Sequence, residues 1–324
     1  MAELALGGLF EPAGRMMVAG EADDALADGL AARGAEVIRW HRFAAPGRRA
    51  TPWPPDIEAD QAILRLPRAR ASLDFALHGL AARLVPGGSL WLVGTNDEGV
   101  RSAGRRMEDL FDGVVTVDAR RHGRLLRGRR RERPVGLRDS LDQWRAVGSI
   151  RLPGGERPWI TYPGLFARGE LDPATAFLLD ALPPFEPGAR VLDFGCGAGT
   201  IGAALAQRGE VALDQLDADA LAVEAARQNL PAARTWLGSS LDDLTGAGPW
   251  DRVVTNPPIH ESVLRSYRVL EELARAVGAR LRPGGEAWVV AQRQVPVAEM
   301  FQATDLRAAI ADQRGAFRVW RAAR

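Results

Sequence analysis

The sequence predicts an α/β protein made of two tandem units, each a mostly parallel sheet covered by helices, and three observations carry that prediction. The segment "RLVPGGSLWLV" (Arg83 to Val93) returns as "RLRPGGEAWVV" (Arg280 to Val290), with Arg, Leu, Pro, Gly, Gly and Trp in one register and Val closing both. Short apolar runs alternate with helix-period segments in both halves, the pattern of strands joined by crossover helices. Each half closes on two apolar runs with no helix between them, which puts an antiparallel strand at the edge of a seven-stranded sheet.

The elements follow in order. In the first half "MMVAG" reads as a strand, a helix starts near Ala22, and "AEVIRW" and "AILRL" are strands. The helix "SLDFALHGLAARL" then precedes the strand "SLWLV", and a further helix leads to the hairpin "GVVTV" and "GRLLRG". The second half reads "RVLDF", helix, "VALDQLD", helix, "RTWL", "RVVTN", the helix "VLEELARAVGARL", "EAWVV", and the pair "LRAAIAD" and "AFRVWRA". In both copies Pro-Gly-Gly ends the helix and turns the chain into the next strand. "GRLLRGR" (Gly123 to Arg129) parallels "GAFRVWR" (Gly315 to Arg321). The stretch "RPVGLRDSLDQWRAVGSIRLPGGERPW" is loop-like and sets the boundary, giving domains 1–150 and 151–324.

Composition narrows the function classes. With 324 residues, 46% hydrophobic and 26% charged, the chain can bury two cores. Its 42 basic residues against 41 acidic ones leave no global field for a polyanion. The balance is 24 basic to 20 acidic up to Pro153, and 18 to 21 beyond it. Every basic residue is Arg, which codon usage in a GC-rich genome explains. The densest basic run, "ARRHGRLLRGRRRERP" (Ala119 to Pro134), favours phosphate contact modestly over the solvated face of a hairpin, since Glu132 and the codon bias dilute its signal. A single cysteine, Cys196, excludes an intramolecular disulfide framework and a cysteine metal cluster, so no metal is expected. The start lacks a basic n-region, and no run approaches the roughly 18 apolar residues of a membrane span. We expect a cytoplasmic protein with no membrane partner.

Chemistry enters at "VLDFGCGAGTIG" (Val191 to Gly202), a strand running through Gly195, Gly197 and Gly199 into a helix. Such a turn lets a nucleotide-like ligand approach the backbone where a Cβ would block it. The same residues satisfy G-x-G-x-x-G, with the carboxylate of Asp217 closing the next strand, so the turn alone accommodates NAD or S-adenosylmethionine. Asp193, two residues before Gly195, favours the second. So does "TNPPIH" (Thr255 to His260). At the end of a parallel strand Asn256 projects over the turn, and Pro257 and Pro258 stiffen the corner. The Asn256 oxygen and the Pro257 carbonyl are two neutral acceptors for an exocyclic amine, which needs orientation towards an already activated methyl. His260 follows as a substrate contact or a loop-packing residue. The first half has "MMVAGEADDAL" and "AILRLPRAR" at the corresponding places and so lacks both elements.

The set "VLDFGCGAG", "LDQLDADALAVEAARQN", "NPPIH", "RLRPGGEAWVVAQR" and "GAFRVWRA" resembles the class I S-adenosylmethionine-dependent methyltransferases. Within them it is similar to the ribosomal RNA small subunit methyltransferase C and large subunit methyltransferase G group. "VGTNDEGVRSA" and "YPGLFARGELDPATAFLL" extend the resemblance over most of the chain. It implies two tandem Rossmann-like domains, the first degenerate and serving RNA positioning and support. It implies methyl transfer from S-adenosyl-L-methionine to guanine N2 in rRNA, most simply 16S rRNA, with naked rRNA or a ribosomal subunit as partner and a monomeric enzyme. Asp193, Gly195, Cys196, Gly197 and Gly199 would hold the methionine end, Asp217 the ribose, and Ser239 and Ser240 the adenine end. Asn256 and Pro257 would clamp the amine, with Pro258 and His260 beside them. This sequence departs from the group at Ile259 (an aromatic), Ser239 (Asp) and Gln292 (Asn). Methylation of another planar amine, adenine N6 or a protein glutamine, and an inactive S-adenosylmethionine- and RNA-binding assembly module remain as alternatives.

Overall fold

The computed structural model describes residues 14–21, 23–120, 122–257 and 263–324. The chain divides into two compact units, the described residues up to Arg42 with Arg49–Arg145, and Phe43–Arg48 with Ala146–Arg324.

The first unit holds β1 (Arg15–Ala19), α1 (Ala25–Ala31), β2 (Glu36–Trp40), β3 (Ala59–Arg65), α2 (Arg70–Arg83), β4 (Leu84–Thr95), α3 (Val100–Met107), β5 (Phe111–Arg120) and β6 (Gly123–Arg130). Its described sheet has six strands in the order β2-β1-β3-β4-β6-β5. The second unit opens on a hairpin, β7 (Ala146–Leu152) and β8 (Gly155–Thr161), and continues with α4 (Pro173–Ala181), β9 (Ala189–Phe194), α5 (Thr200–Ala206), β10 (Val211–Asp217) and α6 (Ala220–Asn229). Then come β11 (Arg234–Leu237), β12 (Trp250–Thr255), α7 (Val263–Val277), β13 (Leu281–Gln292), α8 (Val297–Gln302), β14 (Arg307–Arg314) and β15 (Phe317–Ala323). This sheet has seven strands in the order β11-β10-β9-β12-β13-β15-β14.

Both sheets are parallel except where the closing hairpin joins them, and here the structure refines the expectation. The antiparallel strand is β15, paired with β13 on one side and β14 on the other, so it stands one place in from the edge. The first unit does the same with β6 between β4 and β5. The chain runs to the outer position first and folds back into the gap, a return that a hairpin permits without a crossover. Seven strands occur only in the second unit; among the described residues the first has no counterpart of β11.

The repeat is real at the level of side-chain placement. β4 and β13 have the same alternation of buried and exposed residues from end to end. Pro-Gly-Gly differs from expectation, because it lies inside the strand rather than before it. Leu84 pairs with Ala59, and pairing resumes only at Ser89 opposite Gln61; Leu281 and Glu286 repeat this against Trp250 and Arg252. The loop so formed needs positive φ at Gly87 (78°) and Gly284 (79°). A Cβ on Gly88 would come within 2.8 Å of the Asp60 carbonyl oxygen, and one on Gly285 within 3.0 Å of that of Trp250. The closing strands match in a register two residues away from that read in sequence. Trp91 lies opposite Arg127 and Trp288 opposite Arg321, so Arg127, not Arg129, is the counterpart of Arg321. A slip of two keeps every side chain on its face, which is why sequence identity tolerated it.

The loop-like boundary segment contains the β7–β8 hairpin, which buries Ile150, Leu152 and Trp159. Its Gly, Pro and Arg content hid the period-2 spacing of Ile150 and Leu152. At the start of β12 Trp250, fully buried, donates its indole N–H to Asp214 Oδ2 on β10 at 2.8 Å. Arg234 forks onto the same carboxylate at 2.8 and 3.0 Å.

Candidate active site

β10, β9 and β12 lie side by side and parallel, so Asp217, the turn after Phe194 and Asn256 meet at the carboxyl end of the sheet. The turn is shaped by its glycines: φ is 73° at Gly195, 54° at Gly197 and 91° at Gly199. The N–H groups of Gly195 and Cys196 both donate to the Leu216 carbonyl, at 2.8 and 3.0 Å, and fold the turn back on β10. Gly197 N–H donates to Asp217 Oδ2 at 2.8 Å, while Asp217 Oδ1 accepts from Asp219 N–H at 2.8 Å. Among the described residues a Cβ on Gly197 would meet nothing within 4 Å, so they leave the space above the turn open.

Asp193 takes a different position from the one expected. It has no accessible surface, and its carboxylate accepts from Gly202 N–H at 3.1 Å. Burial pushes its pKa up to about 7, with the charge of Asp217 adding and the Gly202 N–H opposing. Asp193 therefore anchors the turn from below rather than facing the ligand. Cys196 is buried, and burial raises its thiol well above the usual range, helped by Asp217 and Asp193, which removes it as a nucleophile. Ser239 and Ser240 stand next to Asp217 through the 3.0 Å bond from Gly238 N–H to the Asp217 carbonyl, and both give their backbone N–H to Asp243 Oδ2. They do not line the cavity over the turn.

That cavity lies between the turn and the start of α4 and encloses about 50 Å³. Its described lining brings two carboxylates, Glu170 and Asp172, and no basic side chain. The two carboxylates favour a cationic ligand there. Phe166, 52% exposed, stands at the mouth.

Asn256 is held from the α4 side. Its Nδ2 donates to Asp172 Oδ2 at 3.0 Å and to Thr175 Oγ1 at 2.9 Å. Asp172 also caps α4, accepting from Thr175 N–H at 2.9 Å. Pro257 is buried behind it, while Pro258, Ile259 and His260 lie outside the described residues. From the sequence, Phe166, Asp172 and Thr175 read either as residues closing over the cofactor or as a linking loop and helix cap, since Asp-Pro at a helix start accounts for itself nearly as well; the contact with Asn256 is not legible there. Sequence reasoning passed over Asn229, whose side chain accepts from Ile160 N–H at 2.7 Å and donates to the carbonyls of Ile160 and Ala198 at 2.9 and 3.0 Å. Asn229 ties the glycine turn to β8.

In the first unit the same places are filled by its own side chains. Ala19 pairs with Trp40 and Leu64 and Val18 with Ile63, as Phe194 pairs with Leu216 and Asp193 with Val254, which makes Glu21, His41 and Arg65 the counterparts of Cys196, Asp217 and Asn256. Glu21 accepts from Leu26 N–H at 3.1 Å and Ala27 N–H at 3.3 Å, so α1 is capped by the protein itself. His41 Nε2 lies 2.9 Å from Asp24 Oδ1. Arg65 is paired with Glu98, whose pKa falls to about 2 because Arg65 and the Thr95 N–H outweigh the effect of burial.

A parallel sheet of this order, a glycine turn closed by a carboxylate, and an asparagine over an acidic cavity define an S-adenosylmethionine-dependent methyltransferase. Residues 157–321 match the family model of the methyltransferase small domain, and residues 9–144 that of its N-terminal domain. The chain is 35% identical to the ribosomal RNA small subunit methyltransferase C of Stutzerimonas stutzeri, over 96% of this chain and 95% of that one. It is 32% identical to that of Hahella chejuensis, over 96% and 94%. It superposes on the T. thermophilus 16S rRNA N2 G1207 methyltransferase RsmC, solved with AdoMet and guanosine, with a TM-score of 0.84 and 25% identity, covering 96% of this chain and 88% of that one. The chain belongs to the ribosomal RNA small subunit methyltransferase C family.

Proposed function

We propose that the protein transfers a methyl group from S-adenosylmethionine to the exocyclic N2 amine of a guanine in 16S rRNA, the counterpart of G1207 in the solved relative. The observation that carries this is the orientation of Asn256: with Nδ2 turned towards Asp172 and Thr175, its Oδ1 is left to accept from an amine over the glycine turn. When bound, the sulfonium supplies an activated methyl. The chain's own residues then have three tasks. The glycine turn admits the ligand close to the backbone, with Asp217 and Ser239–Ser240 on the adenosine side. Glu170 and Asp172 favour positive charge in the cavity. Asn256 Oδ1 and the Pro257 carbonyl hold the flipped amine in line. The amine nitrogen gains the methyl as the sulfonium's carbon–sulfur bond breaks, and the proton it sheds leaves to water.

The first domain, in this reading, positions RNA. A groove of about 480 Å³ between α3 and the β5–β6 hairpin is lined by Arg101, Arg105 and Arg124, with Glu108 as the carboxylate among them. Arg101 and Arg124 both donate to the Asn96 Oδ1, at 3.1 and 2.9 Å. A neutral oxygen gathers two guanidinium groups without cancelling their charge, which suits a phosphate backbone. Such a substrate places the enzyme in the cytoplasm, and we take it to act as a monomer. Among the described residues no helix is long and apolar enough to cross a membrane.

The test is mass spectrometry of nucleosides from small- and large-subunit rRNA of cells with and without the gene. Loss of one N2-methylguanosine from the small subunit is expected; unchanged rRNA would overturn the reading. Asn256→Ala should lower kcat by about 10²–10³-fold, the scale for removing one preorganised hydrogen-bonding group, while cofactor affinity stays within about twofold.

A further inference from the structure

We propose that Asp172 is a positioning residue for the methyl transfer: it fixes which way the Asn256 amide points and lends that amide its negative charge. The role rests on reading Asn256 as the amine clamp, but it is argued from contacts on the opposite side of that residue. An asparagine amide is nearly symmetric in shape and can face its surroundings with either oxygen or nitrogen. A carboxylate accepts and cannot donate, so Asp172 Oδ2 at 3.0 Å forces the Nδ2 group to its side. Turning the amide over would put two oxygens against each other. Thr175 Oγ1, 2.9 Å from the same Nδ2, takes the second N–H. Both amide protons are thereby spent away from the substrate, and Oδ1 is left as an acceptor only.

The second effect is electronic. A carboxylate hydrogen-bonded to an amide N–H favours the resonance form with negative charge on the amide oxygen, and chains of hydrogen bonds polarise one another in this way. The target amine becomes cationic as it gains the methyl, so a more negative Oδ1 stabilises the product side of the transfer without acting as a base. Asp172 is held for this task by its second contact, the Thr175 N–H at 2.9 Å, which pins the carboxylate to the first turn of α4. Thr175 is buried, which keeps water from competing for Nδ2.

Two replacements separate orientation from charge while preserving the helix cap, since Asn and Ser both cap well. Asp172→Asn keeps an acceptor oxygen and loses the charge; Asp172→Ser caps with a side chain too short to reach Asn256. Both variants and the wild type are assayed on 16S rRNA, with cofactor affinity and melting temperature measured in parallel. The side-chain amide of Asn256, labelled with 15N and assigned through Asn256→Ser, reports orientation without any turnover. We expect kcat to fall about 10-fold in Asp172→Asn and about 10²–10³-fold in Asp172→Ser, with cofactor affinity and melting temperature nearly unchanged. The Asn256 amide protons should be shifted and slow to exchange in the wild type and solvent-averaged in Asp172→Ser. Full kcat in Asp172→Ser, or an Asn256 amide signal identical in both proteins, would overturn the proposal. A wild type that methylates no rRNA guanine but shows the protected amide would refute the substrate and leave Asp172's role standing.

Discussion

Asp193 shows what one buried carboxylate does to a protein of this kind. Its pKa is raised to about 7 by burial, whereas an unfolded chain would ionise it near the ordinary carboxylate value. Between those two values the folded protein binds more protons than the unfolded one, so stability falls as pH rises through that window and levels off above it. Glu21 in the first unit, raised to about 7 by burial with Asp24 and Asp23 adding, has the same sign. Asp193→Asn, which can still accept from the Gly202 N–H, should flatten part of the decline in melting temperature from pH 5 to pH 8, and Glu21→Gln another part. A wild-type melting temperature that rises over this range, or variants that run parallel to it, would refute the assignment. Asp193 was legible as a site residue from its place two before Gly195. Its role was not, because a motif fixes a position along the chain while burial decides whether a side chain meets the ligand or the turn beneath it.

Elements repeat more faithfully than residues do. The bulge that interrupts β4 and β13 places one glycine at positive φ and the next against a carbonyl in both copies. A Cβ on Gly285 would sit 2.9 Å from the Arg282 carbonyl oxygen and 3.0 Å from that of Trp250, backbone atoms that cannot swing aside. Gly285→Ala should therefore cost about 1–3 kcal/mol, the range of overpacked sites. Gly284→Ala, with open space but φ of 79°, should cost about 1–2 kcal/mol. Denaturant melts of the two variants check this, and a Gly285→Ala protein as stable as wild type would mean that the bulge relaxes. The strands and helices themselves were legible from alternation and period. Two things were not: the bulge, because Pro-Gly-Gly reads as a terminator wherever it stands, and the two-residue offset of β6 and β15, because period-2 patterns look alike after an even slip.

At the scale of the whole molecule the two units have the same plan and opposite use of it. Among the described residues the second leaves its sheet end open over Gly197, while the first fills the matching positions with Glu21, His41–Asp24 and Arg65–Glu98. Titration calorimetry should accordingly find one S-adenosylmethionine per chain; two would mean that those pairs open. The first unit's remaining asset is the arginine groove along α3. Among the described residues Arg105 has no ion pair, and Arg101 is met only by the neutral Asn96. If these side chains hold phosphates, each contact removed lowers the dependence of log affinity on log salt by roughly 0.7–0.9. Arg101→Ala with Arg105→Ala should then lower that slope by roughly 1.5 and raise KM for rRNA, with cofactor affinity unchanged and kcat at saturating RNA close to wild type. A slope equal to wild type would show that RNA is held elsewhere, and a loss of cofactor affinity would mean that the replacements had damaged the fold instead of the groove.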